Sequence, residues 1–441
     1  MKHLAMAVMM VCAGIAAGAQ QSGRVFPFPY EVVTLPNGFR AYLVKAATPG
    51  QIAYVTYTRV GSRDEVDAGR SGFAHFFEHM MFAGTRNHPD FDGETTRMGA
   101  FRNASTGPDS TQYYFVASSE FLEKLVDLES DRFQNLAYEE SRFRTEAGAV
   151  LGEHQQGALD PQRWLNDKVR AAIFQRHPYA HTTIGLEADV RDMPSGYAYS
   201  RAFFKRFYRP ENTVLVIAGD FDAAKARSLI TRHYGAWQRG YDPPAIPPEP
   251  AQTGPREVTV HYPGRTLPIL TINYRAPAWN ATDRGGVALS VLGELVFGSN
   301  SALFRKLVLR ERRVQILAPA FTLARDPYVV SVQATVADPS DTKAVEGELL
   351  SAVTSAQETL ADAEVLTNVK SSLRYRFVMG LETAQDIAFA VRSPIISTGR
   401  LEQIEDYYAT LSTVTAQDVR DAARRYLVDT GRTIVTMVQE N

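Results

Sequence analysis

The run Gly72-Phe-Ala-His75-Phe-Phe-Glu78-His79-Met-Met-Phe82 puts two imidazoles and a carboxylate into one short apolar stretch. On a helix, His75 and His79 lie one turn apart and leave the same face, which is the geometry two imidazoles need to share one zinc ion. Glu78 sits beside them, three residues from His75, where its carboxylate reaches a metal-activated water without taking a ligand position. The plain reading of two histidines in an apolar helix is a pair of packed core residues. The full His-x-x-Glu-His pattern, in a chain with nine histidines, is rare enough by chance to favour the metal.

A catalytic zinc takes three protein ligands and keeps one position open, so a third His, Asp or Glu must come from elsewhere. Ser141 to Gln156 has helical spacing and carries Glu146 and Glu153, seven residues apart and therefore two turns apart on one face. Spacing alone does not choose between these two carboxylates. The remaining histidines, including His88, His154, His177 and His181, lack ligand spacing and read as surface or structural residues.

These residues need a scaffold. A chain of 441 residues exceeds one ordinary core, and closely spaced prolines from Asp242 to Pro250 prohibit both helix and central strand. The reading is therefore a domain over 20–240, a Pro-rich linker over 241–256 and a second domain over 257–441. Strand-like runs cover Phe39 to Lys45, Ala53 to Val60, Tyr113 to Ala117 and Val214 to Ala218 in the first half, and Pro268 to Tyr274 in the second. Helical spacing covers Ser71 to Phe82, Phe121 to Asn135, Ser141 to Gln156 and Ala223 to His233. The spacing predicts one plan for both halves: Gly72 and Gly84 are matched by Gly286 and Gly298 at an offset of 214 residues (286 − 72 and 298 − 84). At that offset His75, Glu78 and His79 face Leu289, Leu292 and Gly293, so the repeat predicts chemistry in the first copy only. The expected fold class is α+β, with two similar domains related by internal duplication.

Composition narrows the function. A formal net charge of −2 argues against a nucleic-acid partner, which calls for a basic surface. Residues 1–19 read as a signal peptide: Lys2, an apolar run from Leu4 to Ala16, and the small residues Ala17-Gly18-Ala19. No later segment approaches the roughly 20 apolar residues of a membrane span. Cys12, the only cysteine, falls inside that signal, so the mature chain would hold no disulfide and no thiolate ligand. Export without disulfides fits a bacterial periplasm.

The inverted motif His75-x-x-Glu78-His79 with an acidic helix downstream resembles the pitrilysin and insulinase family of metallopeptidases, the inverzincins. Asn103-Ala104-Ser105-Thr106, His177-Pro178-Tyr179, Phe207-Tyr208-x-Pro210-x-Asn212 and Gly219-Asp220 resemble further landmarks of that family, across the mature chain. The resemblance implies zinc as cofactor, two similar domains each with a mainly antiparallel sheet and packed helices, and hydrolysis of peptides or unfolded segments. It also implies Glu153, 74 residues past His79 (153 − 79), as third ligand, with Glu146 behind it orienting the site. Asn103, Ala104, Ser105 and Thr106 resemble the edge strand on which substrate backbone pairs.

One part departs from the family pattern. Its members complete the site with an Arg and a Tyr seven residues apart, after a Ser-x-Leu-Phe segment. Ser301-Ala-Leu303-Phe304 is present, but the Arg position holds Val308 and the Tyr position Gln315. The resemblance then implies the zinc-bearing subunit of a heterodimer whose related partner supplies Arg and Tyr. The competing expectation is a non-catalytic peptide-binding or assembly subunit with a vestigial metal site.

Overall fold

The computed structural model describes residues 24–440; the signal-peptide reading of 1–19 lies outside them. Eleven strands form two sheets among the described residues. The first is built from β1 (Tyr30–Thr34), β2 (Arg40–Lys45), β3 (Gln51–Thr58), β4 (Phe101–Thr106), β5 (Thr111–Ser118) and β6 (Thr213–Gly219), in the order β1-β2-β6-β3-β5-β4. The second holds β7 (Arg256–Tyr262), β8 (Ile269–Ala276), β9 (Val314–Phe321), β10 (Tyr328–Val336) and β11 (Arg432–Gln439), in the order β7-β11-β8-β10-β9. Without β1 the two orders are the same. Each sheet is antiparallel except for one pairing, β2 with β6 and β7 with β11, and these occupy equivalent places. Each is thus a mixed sheet with one parallel pair, and the two copies of the α+β duplication are visible strand by strand.

The α-helices that follow β3 and β8 differ in length. Phe73–Met80 has 8 residues and Arg284–Phe297 has 14, so Gly286 lies inside its helix whereas Gly72 precedes its own. Leu289 and Leu292 are buried at 0% and 2% exposure and, with Gly293, belong to the second core. By length and composition Arg284–Arg310 could cross a membrane, contrary to the expectation that no later segment comes close. Its first helix ends at Phe297, however, and Val287, Leu289 and Val291 are fully buried under the second sheet, which accounts for the apolar run as core.

The halves exchange covering helices. One face of the first sheet packs its own helices in a core that includes Phe73, Phe76, Phe77 and Met80. The other face, with Tyr42, Val44, Val55 and Val216, is covered by Ile387, Val391, Ile395 and Leu401 from the second half. In return, Leu165 of the helix Pro161–Ile173 packs on Tyr262, Val435 and Met437 of the second sheet. A polar joint fastens the halves beside this exchange. Asp326, just before β10, accepts from Arg63 Nε at 2.5 Å and lies 2.9 Å from His177 Nε2, while Tyr179 donates its hydroxyl to Asp109 at 2.6 Å. Burial alone would raise the Asp326 carboxyl, but His177 and Arg63 outweigh it and hold the group well below the usual carboxylate range.

Candidate metal centre

Phe73–Met80 is helical because its periodicity separates two faces. Phe73, Ala74, Phe76, Phe77 and Met80 are wholly buried in the first core, leaving His75, Glu78 and His79 on the opposite side. The entry to the helix is fixed by a close backbone approach. Gly72 has φ +92°, and a Cβ there would stand 2.6 Å from the Ile184 carbonyl oxygen; Gly185 has φ +93° and would put a Cβ 2.9 Å from the Gly72 backbone. Neither site tolerates a side chain. Ser71 completes the joint, donating from its hydroxyl to Asp189 at 2.6 Å and accepting the Leu186 N–H at 2.8 Å.

Glu140–Gly157 supplies the facing carboxylates. Phe143, Ala147 and Val150 recur at helical spacing and are buried, Phe143 edge-on to Phe76. Glu146 and Glu153 project from another face, toward the histidines. Glu153 Oε2 lies 3.5 Å from His75 Nε2 and 3.4 Å from His79 Nε2. Donor atoms on neighbouring corners of a zinc tetrahedron, with bonds of about 2.0–2.1 Å, are about 3.3–3.4 Å apart. The spacing therefore fits a single small cation, and among the described residues His75, His79 and Glu153 form the set whose ligand atoms all lie within 4.8 Å of one another.

Glu146 plays a different part from Glu153. Its Oε2 stands 3.8 Å from Nδ1 of His79, the nitrogen turned away from Glu153, and its Oε1 lies 2.9 Å from Arg142. The Glu146 carboxylate raises the His79 pKa against the effect of burial, and the same contact holds Glu146 below its ordinary value. Burial pushes His75 down to about 4, so this imidazole is neutral and its lone pair free for a cation at neutral pH. His75 Nδ1 is buried with no hydrogen-bond partner, so nothing on that side of the ring competes for its orientation.

Glu78 is about five-sixths of a turn from His75 and has its own anchor. Thr106 Oγ1 donates to Glu78 Oε2 at 2.6 Å. Burial raises the Glu78 pKa and the Thr106 hydroxyl opposes the rise. A carboxylate tuned upward in this way is a stronger base.

The edge-strand reading of Asn103 to Thr106 falls on β4, Phe101–Thr106, the last strand of its sheet, paired to β5 alone. Asn103 Oδ1 accepts the N–H of Ala104 at 2.8 Å, which leaves that donor outside the β5 ladder and on the open edge. Ser105 and Thr106 line a cavity of about 690 Å³ together with His75, Glu78 and Glu153. His154, half-buried, and His181 line it too, while His88, His177 and His181 are buried, the structural side of the expectation for these histidines. His88 and His177 are structural: each faces carboxylates, Glu94 and Asp326 respectively.

Val308 lies in the π-helical turn Arg305–Arg310 and Gln315 in β9. Neither lines the cavity, whose described walls all come from the first half.

Two residues at the ends of the metal helix escaped the sequence reading. Glu65 accepts the N–H of Gly72 at 2.9 Å and of Ala74 at 2.7 Å; burial pushes its carboxyl up to about 8, these two donors opposing the rise. Arg132 Nη1 donates to the Met81 carbonyl at 3.1 Å. No local pattern marks either one, because each meets the helix through the fold.

Residues 43–187 match the family "Insulinase (Peptidase family M16)", and residues 197–373 match its companion, "Peptidase M16 inactive domain". The chain is 27% identical over 384 residues to the zinc protease PqqE of Helicobacter pylori, covering 85% of each chain. It is 28% identical over 269 residues to the mitochondrial cytochrome b-c1 complex subunit 1 of Bos taurus, covering 60% of this chain and 55% of the other. The crystal structure of a protease from Helicobacter pylori superposes with a TM-score of 0.85 at 27% identity, over 93% of this chain and all of that one. The strand order shared by the two halves, the inverted histidine motif and these matches across both halves agree: the chain belongs to the pitrilysin and insulinase family of peptidases.

Proposed function

We propose that this chain is a zinc-dependent endopeptidase acting on peptides or unfolded protein segments. The observation that carries the reading is the convergence of His75 Nε2, His79 Nε2 and Glu153 Oε2 at ligand spacing beside a half-buried, anchored Glu78. A relative named a zinc protease, matched over most of both chains, supports it.

In this reading His75, His79 and Glu153 hold the ion, and Glu146 orients His79 through its Nδ1 side. Zinc, when bound, supplies Lewis acidity for activating water and polarising a carbonyl. Glu78 takes the proton of the attacking water and returns it to the leaving amine. Thr106 holds the Glu78 carboxylate in place during the first transfer. Ala104 offers its outward N–H to a substrate carbonyl, so the peptide lies along β4 as an added strand, read through its backbone.

The site takes its missing cationic and phenolic groups from outside the chain. Val308 and Gln315 stand where an Arg and a Tyr would complete the family site, which supports a heterodimer with a related subunit supplying both. A relative named as a subunit of a complex fits such pairing. That same relative, whose name claims no protease activity, favours a second reading: a non-catalytic peptide-binding or assembly subunit.

Hydrolysis of an unstructured peptide distinguishes them. The zinc-loaded chain is assayed alone and mixed with a related chain that carries the Arg and Tyr, with Glu78→Gln as control. Turnover in the mixture that disappears with Glu78→Gln is the expected result. Turnover that survives Glu78→Gln contradicts the mechanism, and inactivity in every mixture favours the binding subunit.

A further inference from the structure

The helix that presents His75 and His79 is only 8 residues long. A helix so short is marginal unless its surroundings fix it. Its two histidines share a cation only while the turn between them stays closed.

Both ends are held by buried ionisable side chains. At the N-terminal end, both oxygens of Glu65 accept backbone N–H groups, from Gly72 and Ala74, that have no partner within the helix. At the C-terminal end, Arg132 donates to the Met81 carbonyl. Glu65 is 5% exposed and Arg132 is fully buried. At the second end, a cation is also the charge that the helix dipole favours.

Arg132 is itself fixed. Glu129 Oε1 lies 2.5 Å from its Nε, and its guanidinium carbon sits over the rings of Phe82, Phe91, Tyr113, Phe115 and Phe133 at 4.8–5.7 Å. A group enclosed on so many sides cannot follow a fraying helix end, so it resists the fraying.

The second half has no such device in the matching place. The 3-10 turns Ser119–Phe121 and Pro339–Asp341 precede the matching helices at an offset of 220 residues (339 − 119). At that offset Glu129 and Arg132 meet Leu349 and Ala352. The charged pair therefore occurs only behind the helix that carries the histidines.

We propose that Glu65 and Arg132 are positioning residues that hold the metal helix at both ends, keeping His75 and His79 at ligand spacing from Glu153. The proposal rests on the metal reading of that site. Loss of either group opens the turn and weakens metal binding by about 10- to 100-fold, the range seen when groups supporting metal ligands are removed.

The test uses the full mature chain stripped of metal. Zinc is titrated against a chromophoric chelator, and the visible spectrum of the cobalt-substituted protein is recorded, for wild type, Glu65→Gln and Arg132→Met. Val332→Ala, in the second core, serves as a variant that lowers Tm without touching the helix. The expected result is weaker zinc binding and an altered cobalt spectrum in the first two variants, with both unchanged in Val332→Ala. Wild-type affinity and spectrum in Glu65→Gln would overturn the clamp, as would equal weakening in Val332→Ala. If Arg132→Met does not fold, Glu65→Gln decides alone. Failure of the wild-type chain to bind zinc would instead overturn the metal reading, and the clamp with it.

Discussion

Two sheets with the same strand order, β2-β6-β3-β5-β4 and β7-β11-β8-β10-β9, are put to different uses. In the first half the helix behind the sheet is short, turns two histidines and a glutamate away from the core, and meets ionisable groups at both ends. In the second half the matching helix is nearly twice as long and buries Leu289 and Leu292 at the positions of His75 and Glu78, with Gly293 at that of His79. The edge strands differ in the same sense. β4 contains no proline and turns the Ala104 N–H outward, whereas β9 carries Pro319, which has no N–H to offer a further strand. A duplicated scaffold can thus keep its topology while one copy retains chemistry and the other retains packing. Beyond the extra strand β1, a small set of side chains and the length of one helix distinguish the copies at these places.

The largest expected effect separates the chemical role of Glu78 from the metal. Glu78→Gln lowers kcat at least about 100-fold, the lower range for loss of a general acid–base group, while zinc content stays at the wild-type level. Kinetics and metal analysis on one preparation check both halves of that statement. His75→Ala and Leu289→Ala probe equivalent positions of the two copies. The first abolishes zinc binding with little change in the second core; the second leaves zinc binding intact and costs about 2–5 kcal/mol of stability through its cavity. Chelator competition and denaturant unfolding, run on both, would expose any crossing of these outcomes.

Smaller effects sharpen the comparison at the edges and the joint. Ala104→Pro removes the outward N–H of β4 without taking a bond from the β5 ladder, and raises KM for an extended peptide about 2- to 10-fold, the worth of one hydrogen bond. Replacement of Pro319 by Ala on β9 leaves KM unchanged. At the joint, Asp326→Asn removes a carboxylate held below its ordinary pKa by His177 and Arg63. Such a group stabilises the fold above the unfolded value near pH 3.9 and loses that contribution as pH falls toward its folded value. The variant therefore melts below wild type at neutral pH, and the gap narrows as pH drops through the acid range. A gap independent of pH would remove the charge from the explanation.

Local pattern made much of this legible. The two faces of Phe73–Met80 and the seven-residue spacing of Glu146 and Glu153 are properties of neighbouring residues. The choice of Glu153 over Glu146 was not; it needed the family resemblance, and the geometry now gives the two carboxylates different nitrogens to face. The exchange of covering helices was hidden for another reason. Leu165 and Ile387 read only as the apolar sides of amphipathic helices, and nothing local says that each covers the sheet of the other half. Glu65 and Arg132 were invisible in the same way, since a lone acid and a lone base have no periodicity. His154 and His181 escaped because lining a cavity requires no ligand spacing.

The central claim is that one metal sits in the first half and none in the second. Zinc counted per chain by native mass spectrometry, for wild type and His79→Ala, tests it most directly. One zinc in the wild type and none in the variant is the predicted result; a wild type without zinc, or a variant that keeps it, would contradict the account.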